Sequence, residues 1–312
     1  MAAQITSQVG WICSRPIEYA AARAMLDESY GHPEQQHAAD SNTYHLGRMG
    51  KHYIVITCMP SSQRGTAAVA AAVHHLFQSY YRIRMAMLVG VGGGIPSQWN
   101  DIRLGDIVVS YPDGNCGGVR HFSVGSGGQI RCFGGPLNIP PRTMLSAVDM
   151  MKGLALTKDP RYLEVIRTTT QGTGRVQRTF ARPAHDSLFK IEHEHPTYAR
   201  DCTGCPAEWE VQRAERRGPT PKAHYGIIAS GDVIMDSGQL REALRQKTGA
   251  LCVDMEAAGL LQGFPGVVIR GISNYADSHQ NDQWEAFAAL AAASYAKDLL
   301  SYMPSERPIA GS

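Results

Sequence analysis

Apolar and polar positions along the chain alternate between strand-like and helix-like patterns. Val9 to Cys13 (VGWIC) is a short apolar run closed by Ser14-Arg15-Pro16. From Ile17 the stretch IEYAAARAMLDE is Ala-rich with apolar residues at helical spacing, so this region reads as strand, tight turn and helix. Tyr53 to Met59 is a β-branched strand, Ser61 to Gly65 a polar turn, and Thr66 to Tyr80 a helix. Met85 to Val91 is another apolar strand, running directly into Gly92, Gly93 and Gly94. Three glycines there imply a tight turn or close approach of a ligand to the backbone. Ile102 to Pro112 predicts a turn and a buried strand, Gly114 to Gly135 a hairpin, and Thr143 to Leu156 a helix. Residues 157–222 are polar, Arg-rich and poor in apolar periodicity, and read as an excursion from the core fold. Ala223 to Ala229 returns to strand, followed by Ser230-Gly231-Asp232. Ser237 to Thr248 is a helix and Ala250 to Asp254 a strand, after which Met255-Glu256 open a further helix. A last helix is predicted from about Asp282 to Tyr302, with 303–312 as a mobile tail.

Strands alternating with helices predict an α/β fold in three layers. A length of 312 residues suits one large unit of that class. In open α/β sheets the ligand site lies outside the carboxyl ends of the strands. Polar groups gather at five such ends: Glu18, Gly92 to Gly94, Ser230 to Asp232, Glu256, and Ser273 to Asp277. The stretch VVIRGISNYADSH, Val267 to His279, carries the argument furthest. Its apolar start delivers the chain to Arg270, Ser273, Asn274, Asp277 and His279, the expected wall of a pocket.

Composition narrows the partners. Hydrophobic content of 43%, charged content of 19% and a net charge of +2 describe a soluble globular chain without a nucleic-acid or membrane footprint. No apolar run approaches the ~20 residues that span a bilayer. The N-terminus MAAQITSQVGWICS has no signal-peptide pattern. Seven cysteines, mostly in apolar contexts, suggest a reducing, cytoplasmic setting. The glycines from Gly90 to Gly94 fit a dinucleotide-binding motif poorly.

Five motifs occur in order: LVGVGGG (88–94), RLGDIVVS (103–110), ASGDVIM (229–235), VDMEAAG (253–259) and VIRGISNYAD (268–277). With them the chain resembles the purine and uridine phosphorylase superfamily, which includes the methylthioadenosine and S-adenosylhomocysteine nucleosidases. The likeness is strongest to its fungal branch, often the N-terminal domain of larger signalling proteins. That branch also shows an extended middle region and an ending like WEAFAALAAASYAKDLL (284–300). The resemblance implies a central mixed sheet, partly closed into a barrel and flanked by helices. It implies cleavage of an N-ribosidic bond through a ribocation-like transition state, with water or phosphate as acceptor and no catalytic cofactor.

By position, Glu256 matches the glutamate that holds the ribose 2′ and 3′ hydroxyls. Glu18 matches the nucleosidase glutamate that activates water. Asn274 stands where the nucleosidases and bacterial purine phosphorylases carry an Asp that protonates purine N7. The resemblance further implies substrate contacts from Val91, Gly92, Ser230, Asp232, Ile234, Met235, Met255 and Ser273. His45 and Arg48 fall where relatives offer residues to a partner subunit's pocket, which implies a homodimer.

Asn274 is a departure, because an amide donates a hydrogen bond but transfers no proton. Three readings follow: a 6-oxopurine substrate, a weak or inactive nucleoside-binding sensor, or an engineered Asp→Asn trap. The positions at which bacterial phosphorylases carry a phosphate-binding Arg and Ser look like Leu88 and Val91, which cannot hold a dianion. With Glu18 adding negative charge, water is the favoured acceptor. Arg64, near a helix start, is the feature that argues for phosphate.

Outside these motifs, His193, His195, Cys202 and Cys205 lie close together in the polar excursion. They offer four ligands of the types that hold structural zinc.

Overall fold

A computed structural model describes residues 8–196, 201–216 and 218–305. Most of the expected tail, 306–312, therefore lies outside the described residues. In chain order the elements are β1 (Val9–Cys13), α1 (Pro16–Ala24), β2 (Glu28–Gly31), β3 (Tyr44–Met49), β4 (His52–Cys58), α2 (Thr66–Ser79), β5 (Met85–Gly94), β6 (Ile107–Ser110), β7 (Val119–Val124) and β8 (Ile130–Cys132). Then come α3 (Arg142–Ala155), α4 (Arg161–Thr170), α5 (Arg175–Thr179), β9 (Ala223–Gly226), β10 (Ile228–Ser230), α6 (Gly238–Thr248), β11 (Cys252–Asp254), α7 (Ala257–Gly263), β12 (Gly266–Asn274) and α8 (Glu285–Tyr302). Two short 3-10 turns, Cys202–Gly204 and Ala207–Trp209, lie between α5 and β9.

The twelve strands form one mixed sheet that branches at β5. The first half of β5 pairs in parallel with β1 on one edge and β12 on the other. Its last residues, Gly93 and Gly94, pair antiparallel with β11. β12 in turn pairs antiparallel with β6. A strand with more than two neighbours makes the sheet split and curl, which is the partly barrel-like sheet expected.

Alternation along the central strands builds the three layers. On β5, Met85, Met87, Val89 and Val91 join α1, α3 and α8 in one apolar cluster. Ala86 and Leu88 face the other way, into a cluster with α2 and α7. β12 repeats the pattern, with Val267 and Ile269 on the first side and Val268 and Ile272 on the second. Successive strand side chains point to opposite faces, and both faces are covered by helices. Helix α8 is buried along most of its length, with Phe287, Leu290, Tyr295 and Leu299 all in the core. No helix among the described residues is long and apolar enough to cross a membrane.

The structure corrects four expectations. Gly92 to Gly94 do not turn after β5 but continue it. They are glycines because neighbours press on them. A Cβ on Gly93 would lie 2.8 Å from the Ala276 Cβ and 2.9 Å from Asn274 Oδ1. The strand expected from Ala223 to Ala229 is two strands with different partners, β9 on β6 and β10 between β7 and β11. The strands β2 and β3 are additions to the expected set. β2 (ESYG) is an exposed edge without an apolar residue beyond Tyr30, and His45, Gly47 and Arg48 interrupt the pattern of β3. Finally, the polar excursion contains α4, which packs on α8 through Tyr162 and Ile166, with the Tyr162 N–H donating to Asp298 Oδ2 at 3.0 Å. Only two of its ten residues are buried, too few to register as periodicity.

Candidate active site

The carboxyl ends of β1, β5, β11 and β12 converge on a cavity of about 600 Å³. Its lining includes Arg15, Glu18, Arg64, Val91, Gly92, Ile234, Met235, Asp254, Met255, Glu256, Ser273 and Asn274. That volume suits a small-molecule site.

Glu18 sits in the first turn of α1, behind Pro16. Its Oε2 accepts the N–H groups of Ser14 at 2.7 Å and Arg15 at 3.1 Å. Its Oε1 accepts the Val91 N–H at 2.9 Å. The carboxylate therefore ties the first turn of the helix to β5. Burial raises its pKa, opposed by Arg270 and by the Val91 and Ser14 N–H groups. Gly90 makes room for it: a Cβ there would lie 2.3 Å from Glu18 Oε1 and 2.6 Å from Arg270 Nη1. Gly90→Ala is expected to destabilise the fold by about 1–3 kcal/mol through overpacking, read as a lower midpoint in urea. An unchanged midpoint would show that Glu18 is not held where described.

Glu256 stands at the N-cap position of α7, without a capping bond from its side chain, and is buried. Its Oε2 lies 3.2 Å from Arg270 Nη2. Burial, opposed by Arg270 and aided by Asp254 and Glu18, pushes its pKa up to about 7. Arg270 is fully enclosed. Its Nε and Nη2 donate to Asp254 Oδ2 at 2.9 and 2.6 Å, and its Nη1 is buried without a partner among the described residues. Asp254 also accepts the Ala257 N–H at 3.2 Å, so it fixes both the guanidinium and the start of α7. Three carboxylates around one buried guanidinium leave an excess of negative charge on the cavity floor once Glu256 ionises, near pH 7.

A pH dependence of stability follows. The folded-state pKa of Glu256 stands above its ordinary value of 4.5, at about 7. The folded protein thus holds a proton that the unfolded chain releases. Its contribution is complete below the unfolded pKa and lost as pH rises through the folded one. Urea denaturation is expected to show roughly a few kcal/mol lost between about pH 4.5 and 7 from this group, with a smaller loss in Glu256→Gln. An equal loss in both proteins would contradict the assignment.

Ser273 and Asn274 reach the cavity together because β12 bulges. Ile272 pairs with Gly92 and Asn274 with Gly93, leaving Ser273 as the extra residue. In a regular strand two consecutive side chains would point to opposite faces. Asn274 Oδ1 accepts the Ala276 N–H at 2.9 Å, and its Nδ2 lies 3.4 Å from Ser273 Oγ. The oxygen is thereby engaged, and the NH2 is the face left for a ligand. Asp277 is turned away: it pairs with Arg241 at 3.0 Å and accepts the His279 N–H.

Several expected site residues lie elsewhere. Ser230 is fully buried and accepts the Ala258 N–H at 3.0 Å, holding α7. Asp232 accepts the Thr66 N–H at 2.7 Å and caps α2. Both are spent on unpaired helix N–H groups and do not line the cavity. His45 is enclosed by its own chain, 2.8 Å from Ser29 Oγ and edge-on to Tyr19 and His32, and Arg48 pairs with Glu28. His193 stacks on Trp209 with ring centroids 4.8 Å apart and leaves the other three proposed metal ligands. Ile234 is 66% exposed at the cavity mouth, whereas Met235 is buried.

Sequence reasoning missed Asp254 and Arg15 as site residues and put Arg270 in the pocket wall, whereas it is fully buried beneath the cavity as the partner of Asp254 and Glu256. An Arg inside the apolar run VVIRGI is itself a signal, since a charge in a buried strand must be paired. Asp254, closing β11 two residues before Glu256, is the partner that the same rule demands.

Residues 162–302 match the model of the phosphorylase superfamily. A nucleotide-binding leucine-rich repeat (NLR)-like protein of Hyaloscypha variabilis is 40% identical over 94% of this chain, which spans 29% of that protein. A 5′-methylthioadenosine/S-adenosylhomocysteine nucleosidase of Mycobacterium bovis is 23% identical over 95% of this chain and 96% of its own length. An ATP nucleosidase of Escherichia coli is 36% identical over 24% of this chain and 16% of its own. Among solved structures, a 5′-methylthioadenosine/S-adenosylhomocysteine nucleosidase of Helicobacter pylori superposes with a TM-score of 0.59. It shares 14% identity over 96% of this chain and all of that one. In motif order, in sheet architecture and in the match over residues 162–302, the chain is similar to the phosphorylase superfamily.

Proposed function

We propose that this chain cleaves the N-ribosidic bond of a purine nucleoside or nucleotide, with water as acceptor. The observation that carries the reading is the placing of Glu18 and Glu256 in one cavity around Arg270. The negative floor favours a ribosyl group that becomes cationic as the base departs. Glu256 holds the vicinal hydroxyls, Glu18 takes a proton from the attacking water, and the Asn274 amide meets the purine edge. The atoms balance: the C1′–N9 bond breaks with its electron pair leaving on the base, a C1′–O bond forms to water, the water's proton passes by way of Glu18 to solvent, and the departing base takes up a proton from solvent.

Phosphate is a poor acceptor for this floor. Leu88 is fully buried in the apolar layer, and the Val91 N–H is already given to Glu18. Two cationic side chains, Arg15 and Arg64, do line the cavity. They favour a substrate with a phosphorylated 5′ position, and the partial likeness to an ATP nucleosidase supports including one in the test. Asn274 favours a second reading, a site that binds a nucleoside without cleaving it.

The experiment is base release from adenosine, inosine, guanosine, methylthioadenosine and ATP, each with and without inorganic phosphate. Release independent of phosphate is the expected result. Release that requires phosphate overturns the choice of acceptor. Binding without release, in this chain and in Asn274→Asp alike, establishes the second reading instead.

A further inference from the structure

We propose that His195, Cys202 and Cys205 form a structural zinc site that fastens the polar excursion to the wall of the cavity. Their ligand atoms all lie within 4.8 Å of one another. One imidazole and two thiols are the donor types zinc prefers. The two cysteines are brought together by the 3-10 turn Cys202–Gly204, which Asp201 holds at its start: Thr203 N donates to Asp201 Oδ1 at 3.0 Å.

The histidine is oriented as a metal ligand would be. Its Nε2 lies 3.0 Å from the Asp201 carbonyl oxygen. A carbonyl only accepts, so Nε2 carries the proton and Nδ1 presents the lone pair. Ligating histidines characteristically give their second ring N–H to a carbonyl or carboxylate in this way. His279 lines the same cleft as the two cysteines, and its ring meets that of His195 edge-on at 5.3 Å. Its Nε2 is buried without a partner among the described residues, but it stands outside the group of three, so the protein supplies three ligands and water the fourth position.

The cluster is already stitched to the segment after β12. The His195 N–H donates to Ser278 Oγ at 2.9 Å, and Cys202 Sγ lies 3.6 Å from the His279 carbonyl oxygen. That segment follows Asn274 directly. A bound zinc would fix the loop of the excursion that makes these contacts, replacing the two thiol protons, which leave to solvent.

The test needs no activity. The purified full chain, loaded with zinc and dialysed, is expected to retain one zinc ion per chain by elemental analysis. Cobalt in its place should give the intense visible bands of a tetrahedral site and a near-ultraviolet thiolate-to-cobalt band. Cys202→Ser with Cys205→Ser should lose both metal and bands, while His193→Ala keeps them. Wild-type protein that retains no zinc, or cobalt protein without a thiolate band, overturns the proposal whether or not the double variant folds. Metal retained in a folded double variant overturns it equally. A Cys202–Cys205 disulfide in protein purified under reducing conditions, detected by mass, would do so as well.

Discussion

Asn274→Asp is expected to raise the rate of purine release by roughly two to four orders of magnitude, the span a general acid contributes. The exchange is nearly isosteric, and the site is built to receive it. The carboxyl can keep the bond that Oδ1 accepts from the Ala276 N–H. Its second oxygen replaces the amide nitrogen beside Ser273 Oγ. There it faces a cavity floor with three carboxylates, which disfavour another negative charge and so hold a proton on it. An amide can only polarise the leaving base, whereas a protonated carboxyl can neutralise it. Single-turnover release from methylthioadenosine and adenosine, compared between the two proteins, reads the effect. Equal rates would mean that the leaving base is not served from this position.

Glu18→Gln is expected to lower release by a similar ~10²–10⁴-fold, measured in the Asn274→Asp background where the rate is high enough to follow. Glu18 is held by three backbone N–H groups yet has its pKa raised by burial, the compromise a base requires. A carboxylate that was only hydrogen-bonded would be too weak a base, and one that was only buried would stay protonated. The rate of the parent is expected to rise with pH as this group ionises, and that limb should vanish in the Glu18→Gln protein. Substrate affinity should change only a few-fold, since on the proposed reading Glu256 rather than Glu18 grips the sugar. The substituted amide also turns an NH2 group toward N–H donors, so a urea midpoint must accompany the kinetics. Lost affinity with an unchanged pH limb would assign Glu18 to binding and leave the acceptor without a base.

Much of the frame was legible because period and burial coincide. β1, β5 and β12 are apolar runs with both faces covered, and α2 and α8 are Ala-rich stretches with well-marked ends. What escaped was set by contacts distant in sequence. Nothing local marks β10 as separate from β9, because the break at Ile227 answers to β7 and β11 rather than to its own residues. The same holds in the cavity. Glu18 and Glu256 carry recognisable settings, but Asp232 and Ser230 read equally well as ligands and as caps. Only the positions of Thr66 and Ala258 show them spent on helix ends. The glycine run misled in the opposite direction: a local signal for a turn was satisfied by Ala276 and Asn274 pressing on a straight strand.

The branching of the sheet at β5 also sets a timetable. Glu18 leaves the ribosome long before the strand that brings Arg270 and Asn274 against β5, which is the last of the twelve to be made. At roughly 5–20 residues per second, tens of seconds separate the two. Until β12 slots between β5 and β6, the backbone edges of both strands stand unpaired and the three carboxylates have no guanidinium to share. The nascent chain therefore has no assembled pocket, and it carries unpaired strand edges, until that strand arrives.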